Sequence, residues 1–288
     1  MGSQLNNEAQ TGAVRKKRPA VQRLYEKKND GLRLRFLTSP VITQAGGIYM
    51  NSRISSLKIR SFVRKNAIDL SDYPKKKYTS FNDFFTRSIL PGKRPFDSDP
   101  NRFPSPCDGK LTVFRLQEDS HFTIKGCGYT LSSLLRNDEL AAQYCGGWGL
   151  LFRLAVDDYH RYAYPVSGEK TENVKISGVY NTVRPFAAET RPIYSENTRE
   201  YTQIRSDEFG NILMMEVGAL LVGRITNLRG AGEAVRGEEK GYFEFGGSSI
   251  IILTEPGRFI PDSDILENSE SGKETVIKMG ESIGTASL

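Results

Sequence analysis

Histidine and cysteine are scarce in this 288-residue chain, and their scarcity argues against several kinds of site. The chain has two histidines, His121 and His160, so a histidine-rich metal site is not expected. The three cysteines, Cys107, Cys127 and Cys145, are odd in number and form no C-x-x-C pair. This pattern argues against a disulfide framework and a zinc site, and it favours reduced thiols in an intracellular protein.

Long apolar runs are also missing. No stretch approaches the roughly 18 apolar residues that a spanning helix needs. Residues 1–12 are polar and lack the apolar core of a signal peptide. Asn6 does not fit the myristoylation pattern. We therefore expect any membrane association to be peripheral, at the cytoplasmic face.

The overall charge is basic, with a net charge of +6 and a pI of about 9.1. Such a balance suits nucleic acid or an anionic membrane surface, and a solvated basic surface with no special partner is the plain alternative. Hydrophobic residues make up 38% and charged residues 26%, as in ordinary globular proteins.

Basic residues are concentrated between Arg15 and Arg35, where the acids are Glu26 and Asp30. Apolar residues are interleaved with them up to Leu37. This pattern favours a membrane-surface element that combines apolar insertion with attraction to anionic lipid. A disordered basic tail or an RNA-binding arm is the alternative.

The periodicity predicts an α+β protein with a helical N-terminal part and a β-rich body. Apolar spacing indicates a helix over about 52–65, and Ser80 begins a capping box for a second helix that Pro91-Gly92 would end. After Arg94, short β-like runs alternate with turns. The predicted strands are 110–114, 148–156, 174–179, 212–217, 220–225, 249–253 and 275–278.

Two turns, at 235–241 and 277–284, each carry a Gly-Glu pair with another glycine three residues later. Such turns are common in β-sandwiches of the lipoyl-domain type, so we expect a sandwich or barrel-sandwich body. Residues 261–273 are acidic and polar, and they predict a surface loop. We expect residues 1–75 to form a basic, membrane-associating N-terminal region and residues 76–288 a catalytic domain.

Four short stretches contain residues that are candidates for a catalytic role. Each has an ordinary interpretation when taken alone: Asp108-Gly109 is a turn dipeptide, His160 a structural histidine, and Gly246-Gly247-Ser248-Ser249 a flexible turn. The stretches are 105–110, 157–162, 215–223 and 241–249.

Together and in this order, these stretches resemble the phosphatidylserine decarboxylase proenzymes. Three further blocks strengthen the resemblance: 81–96, from Phe-Asn-Asp-Phe-Phe to Arg-Pro-Phe; Ile124-Lys125-Gly126 with Tyr129; and 197–201, Asn-Thr-Arg-Glu-Tyr. Each block is weak alone, but their joint occurrence over about residues 45–255 is specific.

The resemblance implies self-cleavage between Gly247 and Ser248. The Ser248 hydroxyl would attack the Gly247 carbonyl, an N-to-O acyl shift would give an ester, and elimination followed by hydrolysis would leave a pyruvoyl group at residue 248. Glycines at 246 and 247 suit this step because they allow strained backbone and close approach of the hydroxyl.

A weak hydroxyl nucleophile needs a base, and the base needs an orienting acid. Asp108 matches the charge-relay aspartate of the family, and His160 matches the first of two histidines in a His-x-x-His pattern. The second histidine falls on Ala163 in this chain. Three interpretations stay open: His160 takes the base role, strain drives a slower cleavage, or the chain does not cleave.

In the mature enzyme, the resemblance implies that the covalent pyruvoyl group is the cofactor and acts as an electron sink. No metal is expected. His160 is the candidate acid that protonates the product. Arg161, Lys125 and Arg184 are candidate donors to the lipid headgroup.

The implied activity is the conversion of phosphatidylserine to phosphatidylethanolamine and CO₂. The expected partners are anionic membrane phospholipid, the chain's own cleaved subunit and a second copy in a homodimer, without nucleic acid. Two alternatives remain: a pyruvoyl-dependent decarboxylase of a soluble amino acid, and a cleavage-silent relative that binds lipid.

Overall fold

The computed structural model describes residues 40–124, 127–178, 197–218, 224–245 and 248–287. Within these ranges the chain is rich in strands and has few, short helices, which confirms the α+β prediction. The helices are α1 (Pro40–Asn51), a 3₁₀ helix (Arg53–Lys58), α2 (Ile59–Lys65), α3 (Phe81–Phe85), α4 (Leu131–Leu135), α5 (Asp138–Tyr144) and α6 (Ser263–Glu270). Among these residues, no helix has both the length and the hydropathy required to cross a bilayer.

The strands alternate with turns along most of the chain after Arg94. They are β1 (Arg102–Pro104), β2 (Gly109–Arg115), β3 (Phe122–Ile124), β4 (Cys127–Tyr129), β5 (Trp148–Leu154), β6 (Arg161–Ala163), β7 (Gly168–Lys170), β8 (Val174–Ile176), β9 (Arg199–Ser206), β10 (Gly210–Val217), β11 (Ile225–Asn227), β12 (Gly232–Ala234), β13 (Glu239–Phe243), β14 (Ser248–Thr254), β15 (Phe259–Pro261), β16 (Thr275–Ile277) and β17 (Ser282–Ala286).

A nine-stranded antiparallel sheet dominates the molecule. Its strand order is β12-β7-β9-β10-β14-β5-β2-β16, and β8 pairs with β9 beside this path. Two three-stranded sheets, β1-β17-β15 and β11-β13-β6, and the β3-β4 hairpin complete the strand pairing. Strand β14 is central in the large sheet, with β10 on one side and β5 on the other.

Both faces of the large sheet are covered, and this explains the apolar run in β14. Ile250 and Ile252 belong to one core cluster, while Ile251 and Leu253 belong to a second cluster on the other face, which includes residues of α4 and α5. Successive strand residues point to opposite faces, so a strand buried on both sides needs apolar residues at consecutive positions.

Strand register brings several segments to one end of the large sheet. Ser248 is opposite Leu154 of β5, and the neighbouring Ser249 is opposite both Arg153 of β5 and Val217 of β10. Val217 in turn is opposite Arg199 of β9. On the other side of β5, Lys110 of β2 is opposite Arg153. The start of β14 therefore lies at the same sheet end as the start of β2 and the end of β5.

The N-terminal helices dock against α3 by hydrogen bonds and aromatic contacts. The amide of Phe81 donates to Ser55 Oγ at 2.8 Å, and the Asn82 side-chain amide donates to Asn51 Oδ1 at 3.1 Å. The rings of Phe62 and Phe81 meet edge to face with centroids 5.0 Å apart. At the start of α3, Ser80 accepts from the Asp83 amide, which confirms the predicted N-cap.

Two local predictions were wrong. The helix that begins after Ser80 ends at Phe85, well before Pro91, because the chain turns where Arg87 becomes buried against the rings of Tyr73 and Phe84. The predicted loop over 261–273 contains the helix α6. Ile265 fixes that helix because it is buried in the core cluster, and Ser269 accepts from the β2 amide of residue 113.

The other predicted elements agree with the structure where it describes them. The predicted helix at 52–65 is present as the 3₁₀ helix followed by α2. Six of the predicted strands correspond to β2, β5, β8, β10, β14 and β16. The predicted strand at 220–225 falls mostly on residues 219–223, outside the described ranges, and β11 begins only at Ile225.

Candidate active site

Ser248 is the first residue of the central strand β14, and its side chain is almost completely buried. It shares a sheet face with Ile250 and Ile252, since residues two apart in a strand point to the same side. Pairing with Leu154 of β5 fixes its backbone. The Ser248 hydroxyl therefore lies at the start of β14, a strand that is paired with β10 on one side and β5 on the other.

His160 lies in the connection between β5 and β6, with its ring 1% exposed in relative terms. Its Nδ1 is 2.8 Å from the carbonyl oxygen of Asp158. A carbonyl oxygen can only accept, so Nδ1 carries the hydrogen, and the neutral ring carries its lone pair on Nε2. The ring of Phe85 packs on the imidazole with centroids 3.9 Å apart. This tautomer is the one that a base acting through Nε2 requires.

The backbone of His160 is tied to the strand that leads toward Ser248. The amide of Phe243, in β13, donates to the His160 carbonyl at 2.9 Å. Two residues later, Phe245 packs edge to face against both Phe81 and Phe85, and its amide donates to the Asn82 side chain. The histidine, α3 and the approach to residue 248 thus form one packed group.

Asp108 directly precedes β2 and is also buried. Arg94 donates two hydrogen bonds to its carboxylate, from Nε at 2.9 Å and from a terminal nitrogen at 2.8 Å. The amide of Met279 donates at 2.8 Å, and Lys278 Nζ lies 3.3 Å away. Arg94 also pairs with Asp72 at 3.0 Å. The acid predicted for the charge relay is therefore held mainly by an arginine.

These contacts decide the charge of Asp108. Burial alone would raise the pKa of its carboxyl, but the hydrogen bonds from Arg94 and from the Met279 amide, with the nearby Lys278 charge, outweigh it and hold the pKa below the usual value of 3.8. Asp108 is therefore ionised at neutral pH. It provides a fixed negative charge at the sheet end where β14 begins.

Ala163 lies where the family resemblance predicts a second histidine. Its amide donates to the Pro106 carbonyl at 2.9 Å, which ties β6 to the segment just before Asp108. Ala163 also lines a cavity of about 240 Å³, together with Arg94, Arg161 and Met279. The small side chain thus borders open space beside the arginine that holds Asp108.

Arg161, a predicted headgroup donor, lines the same cavity. Its Nε donates to the Thr86 carbonyl at 2.8 Å, and a terminal nitrogen pairs with Glu239 at 2.5 Å. The guanidinium also lies over the ring of Tyr242. These contacts fix the guanidinium in place, and its role toward a substrate stays a prediction.

Three predicted site residues, Gly247, Lys125 and Arg184, lie outside the described residues, as does the basic segment from Arg15 to Leu37. Tyr129, next to the Lys125 block, accepts a hydrogen bond from the Asn197 amide at 3.1 Å. Two blocks that the sequence analysis singled out are therefore in contact. Among the described residues, no group of histidine, cysteine or acidic side chains is arranged to hold a metal ion.

Sequence reasoning missed a buried ion pair beside this site. Lys240 of β13 donates to both carboxylate oxygens of Glu216 in β10, at 2.8 and 2.9 Å, and to Asn227 Oδ1 at 2.7 Å. Both charged side chains are essentially inaccessible to solvent. A glutamate within the apolar strand run 212–217 was the available signal. It lies within the candidate stretch 215–223, but its pairing with Lys240 was missed because Lys240 lies on a different sheet.

Sequence-based prediction also missed the partners of Asp108. Arg94 lies in the Arg-Pro-Phe block that was compared with the family, but nothing in its spacing from Asp108 indicates a bidentate contact. Lys278 and Met279 lie in the second Gly-Glu turn, far along the chain. Only the fold brings the turn against Asp108.

Comparison with known proteins assigns the chain to a family. A sequence model of the family described as phosphatidylserine decarboxylase matches residues 81–285, which include Asp108, His160 and Ser248. The chain belongs to the phosphatidylserine decarboxylase family.

Individual relatives cover most of the chain. Phosphatidylserine decarboxylase proenzyme 2 of Clostridium acetobutylicum is 43% identical over 249 residues, covering 86% of this chain and 85% of the relative. The proenzyme of Fusobacterium nucleatum is 42% identical over 243 residues, covering 83% and 81%. That of Clostridium novyi is 43% identical over 245 residues, covering 83% of each chain.

The Arg94–Asp108 contact predicts a specific stability loss. Replacing Asp108→Asn removes the buried carboxylate that accepts two hydrogen bonds from Arg94, which should cost about 3 kcal/mol of the free energy of unfolding at pH 7. Because the folded pKa of Asp108 lies below 3.8, the difference between wild type and variant should stay constant from neutral pH down to that value. It should disappear only as the pH falls through the folded pKa. Urea unfolding at several pH values measures it.

The control is Glu274→Gln, which removes the carboxylate of a pair with Arg153 in which both side chains are more than one-third exposed. Such a pair contributes less than about 1 kcal/mol. An Asp108→Asn loss no larger than that of the control would show that the Arg94 contact does not stabilise this end of the sheet.

Proposed function

We propose that this protein converts phosphatidylserine to phosphatidylethanolamine and CO₂, using a pyruvoyl group made from Ser248. The observation that carries the proposal is the buried serine at the head of the central strand, together with a buried histidine whose Nδ1 donates to a carbonyl and leaves the lone pair of the neutral ring on Nε2. Membership of the phosphatidylserine decarboxylase family supports the substrate. The word proenzyme in the names of the relatives supports maturation by cleavage.

The residues present fit a pyruvoyl group formed in place. Only a side chain with a nucleophilic oxygen or sulfur can attack the preceding carbonyl, and Ser248 provides one at a position fixed by strand pairing. In the proposed maturation, His160 Nε2 accepts the hydroxyl proton as the serine attacks. Asp108 contributes its fixed negative charge, which favours the imidazolium that forms.

This assignment follows the first of the interpretations of Ala163, in which His160 takes the base role. Its support is the hydrogen bond from His160 Nδ1 to the Asp158 carbonyl, which sets the tautomer without help from a carboxylate. Packing against Phe85 restricts rotation of the ring. A base that is already oriented in this way has less need of a separate relay histidine.

In the mature enzyme, the ketone of the pyruvoyl group supplies an electron sink that allows the substrate carboxylate to leave as CO₂. The chain's own residues bind the substrate and handle the proton. His160 would donate a proton to the substrate Cα after CO₂ leaves. Arg161, Lys125 and Arg184 are the proposed donors to the headgroup carboxylate and phosphate, both of which favour guanidinium or ammonium partners.

The two proposed products of cleavage would remain one folded unit. The smaller product, residues 248–288, would contribute β14, β15, β16, β17 and α6. Strand β14 is hydrogen-bonded to β10 and β5, both of which belong to the larger product. Separation would therefore break the middle of the large sheet, so the cleaved subunit is the protein's permanent partner. We also propose that two copies of the protein form a homodimer.

We also propose the division into an N-terminal region, residues 1–75, and a catalytic domain, residues 76–288. Hydrogen bonds from α3 to the N-terminal helices connect the N-terminal region to the catalytic domain. The small sheet β11-β13-β6 and the large sheet share one core cluster, which includes Tyr162 and Phe243 beside Ile250. This packing favours a barrel-sandwich description, with the Gly-Glu turns at its ends.

The N-terminal helices support a peripheral membrane location. Ile48, Ile54 and Leu57 are 69%, 67% and 80% exposed, and we call them the apolar N-terminal surface. The basic residues Arg53, Lys58 and Arg60, close to them in sequence, are also exposed, and residues 40–65 contain no acid. Apolar side chains within a basic surface suit insertion into an anionic bilayer. The phosphatidylserine headgroup carries the complementary charge. The basic segment 15–37 precedes this surface in the chain.

The decarboxylase proposal is tested by presenting phosphatidylserine in vesicles to the full chain. We expect CO₂ release and the appearance of phosphatidylethanolamine with the wild type, and neither with Ser248→Ala, since alanine has no hydroxyl for cleavage or for the pyruvoyl group. The matched control is Ser249→Ala, a buried neighbouring serine on the opposite sheet face, which should keep activity.

Turnover of free amino acids with no effect on phosphatidylserine would contradict the proposal and favour a soluble substrate. Full activity of Ser248→Ala would contradict the chemistry itself.

The membrane proposal predicts weaker vesicle binding when Ile54 and Leu57 are both replaced by glutamate. Burying each such side chain contributes about 1.5–3 kcal/mol, so partition onto phosphatidylserine vesicles should fall by at least about tenfold. Vesicle sedimentation measures it. The control is Val276→Glu, at a 68% exposed residue of β16, which should bind as the wild type does. Equal loss in both variants would show that the apolar N-terminal surface is not the docking element.

A further inference from the structure

The Glu216–Lys240 ion pair has a position that the proposed chemistry leaves unexplained. Glu216 lies on the β10 strand face that also carries Met214, and its register partner on β14 is Ile250. Ser248 is two residues before Ile250 and therefore shares that face. Such diagonal neighbours on adjacent strands lie about 7–8 Å apart. The buried carboxylate is thus next to the serine in the sheet.

Lys240 connects a second sheet to this point. It belongs to β13, the strand that directly precedes the junction in sequence, whereas Glu216 belongs to the large sheet beside β14. The contacts at 2.8 and 2.9 Å between Lys240 and Glu216 therefore bridge the two sheets. Asn227 of β11 accepts from Lys240 and donates to Glu216 at 3.2 Å and to Glu200 at 3.1 Å.

A buried ion pair stabilises a core weakly, because its two charges lose hydration free energy on burial. Burial raises the pKa of Glu216 and lowers the pKa of Lys240, because loss of hydration disfavours the charged form of each side chain. Apolar residues of similar volume would often stabilise such a site equally well. A buried pair is better explained where it selects one arrangement of the chain, as polar core residues do when they fix register.

The strand that precedes the junction has two other anchors downstream of Lys240. Phe243 donates to the His160 carbonyl, and Phe245 is held by Asn82 and by the aromatic rings of α3. Those anchors connect the strand to the histidine and to α3. Lys240 is the anchor that connects it to the sheet face on which Ser248 lies.

We propose that the Glu216–Lys240 pair is a positioning device for self-cleavage, which holds β13, before the junction, at a fixed position relative to the sheet in which β14 begins at Ser248. The inference rests on the proposed function, because it concerns the rate of that cleavage. Neither side chain needs to touch the reacting atoms. A shift of β13 relative to β14 moves the attacking hydroxyl relative to the carbonyl it must reach, and misplacement by about 1 Å can cost about 100-fold in rate.

The test compares cleavage rate with fold stability in a variant that removes both charges. Lys240→Met with Glu216→Gln replaces the ion pair by neutral side chains of similar volume, and the glutamine can still bond to Asn227. Full-length chains are synthesised in a cell-free system as a short pulse, and the cleaved fraction is followed by denaturing gel. We expect cleavage about 100-fold slower than in the wild type.

Stability is compared between the wild type and the double variant of Lys240→Met and Glu216→Gln. Ser248→Ala is added to each, so that neither protein is cleaved. We expect similar midpoints of thermal unfolding. The control variant, Arg102→Met with Asp262→Asn, removes a partly exposed ion pair at 3.4 Å whose arginine lies on the separate β1-β17-β15 sheet, and it should cleave at the wild-type rate.

The outcomes separate the two proposals. An uncleaved wild type overturns the proposed function and this inference with it. A wild type and a double variant that cleave at the same rate overturn only the inference. If the double variant does not fold, Glu216→Gln alone decides, because it keeps the shape of the side chain and removes its charge. Slow cleavage by a folded Glu216→Gln supports the positioning role, and wild-type cleavage refutes it.

Discussion

The start of strand β14 is the constraint on which the rest of the site depends. Ser248 is held by pairing with β5, and the next residue is paired on both sides. Everything that the proposed chemistry requires must therefore come to this fixed point. In the proposed chemistry, His160 comes from the connection after β5, Asp108 from the turn before β2, and the chain that leads into the junction from β13.

Charges around this point are held by other charges inside the protein. Arg94 fixes Asp108, Glu239 fixes Arg161, and Glu216 fixes Lys240. Each of these partners comes from a different element of the fold. Ionised groups remain charged in a buried site only when such partners are present, because the interior penalises an isolated charge. These ion pairs are part of the fold and are therefore formed before any substrate arrives.

Local signals in the sequence predicted much of the fold. Ser80 and the residues after it indicated an N-cap, and apolar runs indicated most strands, since these features depend on neighbours in sequence. Helix α6 was missed because only two adjacent residues, Ile265 and Leu266, pack on the core in an otherwise polar segment, and two adjacent apolar residues form no helical periodicity. The end of α3 was misplaced because the burial of Arg87 depends on Tyr73, a distant residue.

The candidate site was found through resemblance, and its residues are only partly explained by local sequence. Asp108, His160 and Ser248 were each identified, but the hydrogen bonds that give them their properties come from the fold. The tautomer of His160 depends on a carbonyl two residues away, and the charge of Asp108 depends on Arg94. The Glu216–Lys240 pair bridges two sheets, so no sequence spacing could indicate it.

The mass of the purified wild-type chain tests the central claim most directly. We expect two pieces, residues 1–247 and 248–288, which separate only under denaturing conditions. The C-terminal piece should be lighter by one ammonia than the same piece with an N-terminal serine, because a pyruvoyl group replaces that residue. A single intact chain with serine at 248, recovered under all conditions, would contradict the account.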